Sequence, residues 1–127
     1  MSNTATATKS TKEIATRLKK LCEKGDFETA QKELFAKDAI SIEPMASKDF
    51  PKETKGLDAI LSKGKKWAEM VSKSHSLEVS EPVIAGNSFS LAVHMDVTMK
   101  NGERMDMTEL CVYRVKDGKI ISEEFYM

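Results

Sequence analysis

Little in this chain announces a chemistry. Its 127 residues include two cysteines, two histidines and three prolines, and aromatic residues make up 6%. Cys22 and Cys111 stand far apart in different patterns, so a CxxC-type metal or redox motif is excluded. They are expected as buried free thiols in a reducing, cytoplasmic setting. No apolar run approaches the ~20 residues of a membrane helix. Twenty basic residues balance twenty acidic ones, leaving no global field for nucleic acid or anionic lipid. The opening "MSNTATATKS" lacks the hydrophobic centre of a signal peptide, and residues 1–9 read as a disordered tail. Residues 10–127 have the size of one domain. Neither a nucleic-acid nor a membrane partner is expected, and no cofactor or metal set is visible.

Periodicity supplies the architecture. Ser10 and Glu13 form a capping box, followed by Ile14, Ala15, Leu18, Leu21 and Cys22 at helical spacing. Gly25 closes that helix, and Asp26 caps a second one bearing Phe27, Ala30, Leu34 and Phe35. "FAKDAISIEP" then reads as a strand. A third helix begins near Gly56, with a stripe of Leu57, Ile60, Leu61, Gly64, Trp67, Ala68 and Val71. From Ser76 the period becomes two, predicting strands over residues 76–85, 88–99, 103–115 and 119–127. "AGN", "KNG" and "KDG" separate them as hairpin signals. Pro82 implies a bulge or an edge position. Three N-terminal helices on a curved antiparallel sheet make an α+β domain.

Register decides what faces inward. A three-residue Lys100-Asn101-Gly102 loop pairs Val97 with Met105, Met95 with Met107, and Val93 with Glu109, so that the apolar rows coincide. Applied to Lys116-Asp117-Gly118, the same reading pairs Cys111 with Glu123 and Glu109 with Phe125. The expected ligand pocket comprises Trp67, Leu91, Val93, Met95, Met107, Cys111, Tyr113, Glu123 and Phe125, with Glu123 at its rim meeting solvent. Glu109 sits among apolar neighbours, where an unpaired carboxylate is costly unless paired, protonated or wet. Ala92, His94, Asp96, Leu110 and Val112 fall on the opposite face and suit a subunit interface.

Several stretches carry a resemblance. "EKGDFETAQKELFAKDAISIEP", "KGLDAI", "HSLEVSEPVIAGNSFSLAVHMDVTMKNGERM" and "VYRVKDGKIISEEFYM" resemble the nuclear transport factor 2-like superfamily in its SnoaL-like branch, which includes polyketide cyclases and ketosteroid isomerases. The resemblance implies a cystatin-like cone, a sheet wrapped round a helix to form a pocket, in a homodimer. Ketosteroid isomerases carry a catalytic acidic residue immediately before the proline, where Glu43 stands here. Their two oxyanion donors do not carry over. Leu18 stands for the tyrosine and Cys111 for the donor aspartate, so steroid isomerisation is not expected.

Glu43 poses an open question. Ile40 and Ile42 share a face, so alternation puts Glu43 on the other one, unless a bulge before Pro44 turns it inward. Glu43, Glu109 and His75 are the candidate catalytic residues, with His75 near the pocket mouth as an acid or base. Three functions fit: a small-molecule-binding protein for an apolar or amphipathic ligand, an isomerase, cyclase or hydratase using a glutamate base, and a dimerisation scaffold.

Overall fold

The computed structural model describes residues 9–127. Apart from Lys9, the expected tail lies outside these residues. Three helices, α1 (Thr11–Glu23), α2 (Phe27–Leu34) and α3 (Leu57–Met70), pack on one curved sheet. Its strands are β1 (Phe35–Ile42), β2 (Glu53–Lys55), β3 (Val71–Val79), β4 (Val83–Ala85), β5 (Ser88–Met99), β6 (Arg104–Lys116) and β7 (Lys119–Tyr126).

The helix starts follow their local chemistry. Ser10 accepts from the Glu13 amide at 3.1 Å and the Glu13 carboxylate accepts from the Ser10 amide at 2.8 Å, closing the capping box. Asp26 accepts from the Thr29 amide at 3.2 Å. Neither α2 nor α3 is followed by a loop: Leu34 is succeeded by the strand residue Phe35, and Met70 by Val71.

The sheet order is β2-β1-β7-β6-β5-β3, with β4 also paired to β5. The sheet is mixed rather than antiparallel throughout, because β1 runs parallel to β7. The strand expected over residues 76–85 is two strands: β3 starts earlier, at Val71, and β4 is separate. Pro82 cannot donate to a ladder, and the chain leaves the sheet around it. Ser80 patches the gap, donating its amide to Ala92 O at 2.9 Å while its hydroxyl accepts from the Ala92 amide at 2.8 Å.

The β5–β6 register is the expected one, with Val97 opposite Met105, Met95 opposite Met107 and Val93 opposite Glu109. Gly102, at φ 91°, supplies the left-handed position of that loop. The β6–β7 register differs by two residues. Cys111 pairs with Phe125 and Tyr113 with Glu123. The cause is a tight two-residue turn, with Asp117 at φ 52° and Gly118 at φ 76°, followed by an irregularity beyond Arg114/Val115. A shift of two preserves the face of every side chain, so Glu109 and Glu123 still share one.

The concave face and the helices form the core. Ile14, Ala15, Leu18, Leu21 and Cys22 of α1, Ala30 and Leu34 of α2, and Ile60 of α3 meet Phe89, Leu91, Val93, Cys111, Tyr113 and Ile120 of the sheet. Phe89 stacks on Tyr113 with ring centroids 4.8 Å apart.

Candidate functional site

The packing closes the inner half of the cone. Leu91, Val93, Cys111, Tyr113 and Glu123 are each at most 4% exposed, so these five expected pocket residues lie in a packed core, not along an open cavity. The side chains of α1 fill the space the pocket would occupy. Trp67, Met95, Met107 and Phe125 are half-buried, as are Glu43, Lys63 and Glu109. Met95 pairs with Met107 next to Glu109, Phe125 lies under the Lys63 ammonium, and Trp67 stands one helical turn beyond Lys63. We call this region the mouth. Two recesses open elsewhere: about 350 Å³ along α1, lined by Lys12, Glu13, Thr16, Arg17 and Lys20, and about 500 Å³ beside the β6–β7 turn. Neither touches the mouth.

At the mouth a charged cluster enters the apolar surface. Ser41, fully buried on β1, donates its hydroxyl to Glu123 Oε2 at 2.7 Å. Lys63, one turn beyond Ile60 on α3, donates to Ser41 Oγ at 2.7 Å and to Glu43 Oε2 at 2.9 Å. Its ammonium also lies 5.5 Å from the centroid of the Phe125 ring. A chain of contacts therefore runs Glu43–Lys63–Ser41–Glu123.

Alternation brings Glu43 here: the β1–β7 register shifts between Phe35 and Ile40 and is regular from Ile40 to Ile42, so no bulge directly precedes Pro44. The inward residues of β1 are Ala39 and Ser41, both fully buried, and Glu43 continues that parity. Ile40 and Ile42 are only half-buried and point to the outer face. The Glu43 amide bonds Lys52 O at 2.7 Å, which prolongs the β1–β2 ladder by one residue.

Burial pushes the Glu109 carboxyl up to about 7, with the charges of Glu43 and Glu123 adding to it and Lys63 opposing. Burial likewise pushes Glu123 up to about 7, against the Ser41 hydrogen bond and the Lys63 charge. Glu123 thus belongs to the interior, and the expectation that it meets solvent is corrected by its place opposite Tyr113 under the helices. Three carboxylates and one ammonium influence one another at neutral pH. Two of these carboxyls are poised to take up or release a proton.

His75 stands apart. It is exposed on β3 and bonds Thr98 Oγ1 at 2.6 Å, on the outer face that also carries Asp96. A register irregularity between Ser74 and Ser76 turns it away from the carboxylates, which removes it from the candidate acid–base set. His94 contacts Asp106 and also Glu78, at 3.3 Å, on that outer face. The hydrogen bond to Asp106 raises its pKa above the ordinary value. Asp96 is held in a bidentate pair by Arg104 at 2.9 and 2.8 Å. Both thiols are free and buried, and burial pushes Cys22 up to about 12 and Cys111 well above its usual range. Neither is a nucleophile in this setting.

Sequence reasoning missed Lys63 and Ser41. The signal for Lys63 was present: of the three lysines in this helix, it is the one at i+3 from Ile60 and i−4 from Trp67, within the apolar helical stripe.

The family model for a SnoaL-like domain matches residues 9–127. The chain belongs to the SnoaL-like family. Among solved structures, a proposed SnoaL-like polyketide cyclase from Mesorhizobium loti is 33% identical, covering 94% of this chain and 100% of its own, with a TM-score of 0.84. A cystatin-like protein of unknown function from Xanthomonas campestris is 17% identical, covers 93% of this chain and 90% of its own, and has a TM-score of 0.79. A proposed polyketide cyclase from Streptomyces antibioticus is 20% identical, covers 93% and 91% respectively, and has a TM-score of 0.70. At these last two identities the likeness is one of fold. No curated protein matches the chain. This chain places Leu18 and Cys111, both 2% exposed, in its core; Leu18 has no polar hydrogen to donate, and the Cys111 thiol, a weak donor, is directed at Glu109 at 4.0 Å. Lys63 is the cation paired with Glu43.

Proposed function

We propose that this SnoaL-like protein binds a small amphipathic molecule over the mouth of its cone, as a dimer of two copies joined through the outer sheet face. The observation that supports the ligand is the composition of the mouth. Half-buried Met95 and Met107 adjoin Glu109 on the sheet, Phe125 lies under the Lys63 ammonium and Trp67 stands one helical turn beyond Lys63, so apolar side chains adjoin a carboxylate–ammonium cluster. Methionine surfaces adapt to ligand shape, and a few convergent polar groups orient the ligand. The dimer reading rests on the outer face, where Ala92 pairs with Leu110 and Val112 with Glu124, and where Leu110 and Tyr126 remain 43% and 49% exposed. Two buried, unpaired thiols fit a reducing compartment such as the cytoplasm.

Native mass spectrometry of the full chain tests both parts at once. The expected spectrum shows a particle of twice the 14.2 kDa chain mass, carrying a small-molecule adduct that is lost on unfolding. A bare particle that stays bare after incubation with a metabolite panel overturns the ligand reading. A monomer at micromolar concentration overturns the dimer.

A second reading is favoured by Glu109, a half-buried carboxyl pushed up to about 7 and without an ion pair, with the Lys63 charge acting on it from a distance. Such a group can act as a general base, removing a proton next to a carbonyl, with the Lys63 ammonium stabilising the resulting oxyanion. The expected result is deuterium uptake from D2O at acidic C–H positions of carbonyl compounds, observed by NMR. Glu109→Gln should lower the rate by roughly 100-fold or more. Uptake at an unchanged rate in that variant rules out Glu109 as the base.

A further inference from the structure

Glu109 is the odd member of the cluster. Glu43 has the Lys63 ammonium at 2.9 Å and Glu123 has the Ser41 hydroxyl at 2.7 Å. Among the described residues Glu109 receives only the Cys111 thiol, a weak donor, at 4.0 Å. Its neighbours along the inward row of β6 are Met107 and Cys111, and Val93 lies across from it on β5. Lys63 already directs two of its three N–H groups to Ser41 and Glu43. Its positive charge reaches Glu109, but it makes no ion pair there.

This arrangement discriminates among ligand charges. Glu43, Glu109 and Glu123 face a single ammonium, so the cluster is anionic whenever at least two of the three are ionised. A carboxylate or phosphate ester would add negative charge to it. A neutral molecule covering the mouth would withdraw Glu109 from water without giving it a cation, which disfavours the ionised form. A protonated amine supplies a charge-assisted hydrogen bond to Glu109. The Phe125 ring already carries the Lys63 ammonium, so the ligand's cation is left to Glu109, while Met95 and Met107 beside it offer an adaptable floor for an apolar body.

We propose that the cone mouth takes an amphipathic amine, its ammonium on the Glu109 carboxylate and its apolar body on Trp67, Met95, Met107 and Phe125. The inference rests on the ligand-binding reading above. Binding requires ionised Glu109, which is opposed by burial and by Glu43 and Glu123 and favoured by Lys63, with the Cys111 thiol the remaining titratable group in contact. Affinity for the amine therefore climbs as the pH rises through about 7 and levels off once Glu109 is ionised.

Trp67, one helical turn beyond Lys63 on α3, is the only tryptophan, and its fluorescence serves as one readout. Phenylbutylamine, phenylbutanol and phenylbutyrate, matched in their apolar part, are titrated into the full chain at about pH 8, where Glu109 is largely ionised. The expected order is amine first, tighter than either of the others by roughly ten-fold or more, the scale of a charge-assisted contact. Glu109→Gln should erase that gap. If the alcohol or the carboxylate binds as tightly as the amine, the amine class is overturned while ligand binding at the mouth stands. If none of the three perturbs Trp67 or the chemical shifts of the Met95 and Met107 methyl groups, both readings fall.

Discussion

Glu123→Gln is expected to stabilise the protein at alkaline pH and to leave it unchanged in acid. The ordinary carboxyl value is 4.5, and burial lifts Glu123 in the folded chain to about 7. Below 4.5 both the folded and the unfolded chain hold the proton, so this residue imposes no penalty there. Between 4.5 and about 7 the unfolded chain releases the proton while the folded chain keeps it, and stability falls as pH rises. Above about 7 the penalty is constant, on the order of 3 kcal/mol for a shift of this size. Glutamine keeps a carbonyl oxygen to accept the Ser41 hydroxyl and removes the titration. Urea unfolding from about pH 4 to about pH 9 checks this. The parent should lose stability across the middle of that range, and the variant should lose about 3 kcal/mol less. Parallel curves for the two proteins would mean that Glu123 titrates normally.

Lys63→Met should have an effect of similar size and opposite sign. Methionine retains the apolar stem, so the change isolates the ammonium. The lysine and Glu43 side chains are 14% and 25% exposed, which makes theirs a partly buried pair. Truncating one partner of a buried pair costs about 3–5 kcal/mol, and partial exposure brings the expectation here to about 2–3 kcal/mol near neutral pH. The loss should be larger in alkali, because Lys63 opposes the upward shifts of both Glu109 and Glu123. Adding Glu43→Gln to Lys63→Met should recover part of the loss, giving a coupling energy of at least about 1 kcal/mol in a double-mutant cycle. Additive single effects would show that the contact between them contributes no net stability.

How much of this was legible beforehand varied with the range of the interactions responsible. The β5–β6 register could be read because only one loop length superimposes two apolar rows, and Gly102 fits that loop. The β6–β7 register could not. Asp117-Gly118 is compatible with a two- or a three-residue turn, and the irregularity past Arg114 is set by packing further along the strands. On β1 the apolar parity was misleading. Ile40 and Ile42 look like the inward residues, yet Ser41 faces in because Glu123, 82 positions away, meets it there. That parallel β1–β7 pairing leaves no local trace in the sequence. The interior position of Glu109 was legible from its neighbours in the row, whereas its isolation from Lys63 depends on a helix placed by tertiary contacts.

The two junctions at which a helix becomes a strand without an intervening loop have a mechanical consequence. At Leu34–Phe35 and Met70–Val71 the backbone passes straight from helix to sheet, so α2 and α3 are welded to the strands that follow them. Neither helix can tilt without twisting the sheet, and the inner wall of the mouth, including Lys63, is geometrically fixed. The connection over residues 44–51 is different: it is mostly exposed, and it is tied down by the Lys66 ammonium on Asp49 O at 2.7 Å and by an internal turn from Ser47 to Phe50. Surface connections tolerate changes of length at small entropic cost. This connection is therefore the adjustable jaw of an otherwise rigid vice, the place where the aperture can be resized while the sheet, the core and the charged cluster stay as they are.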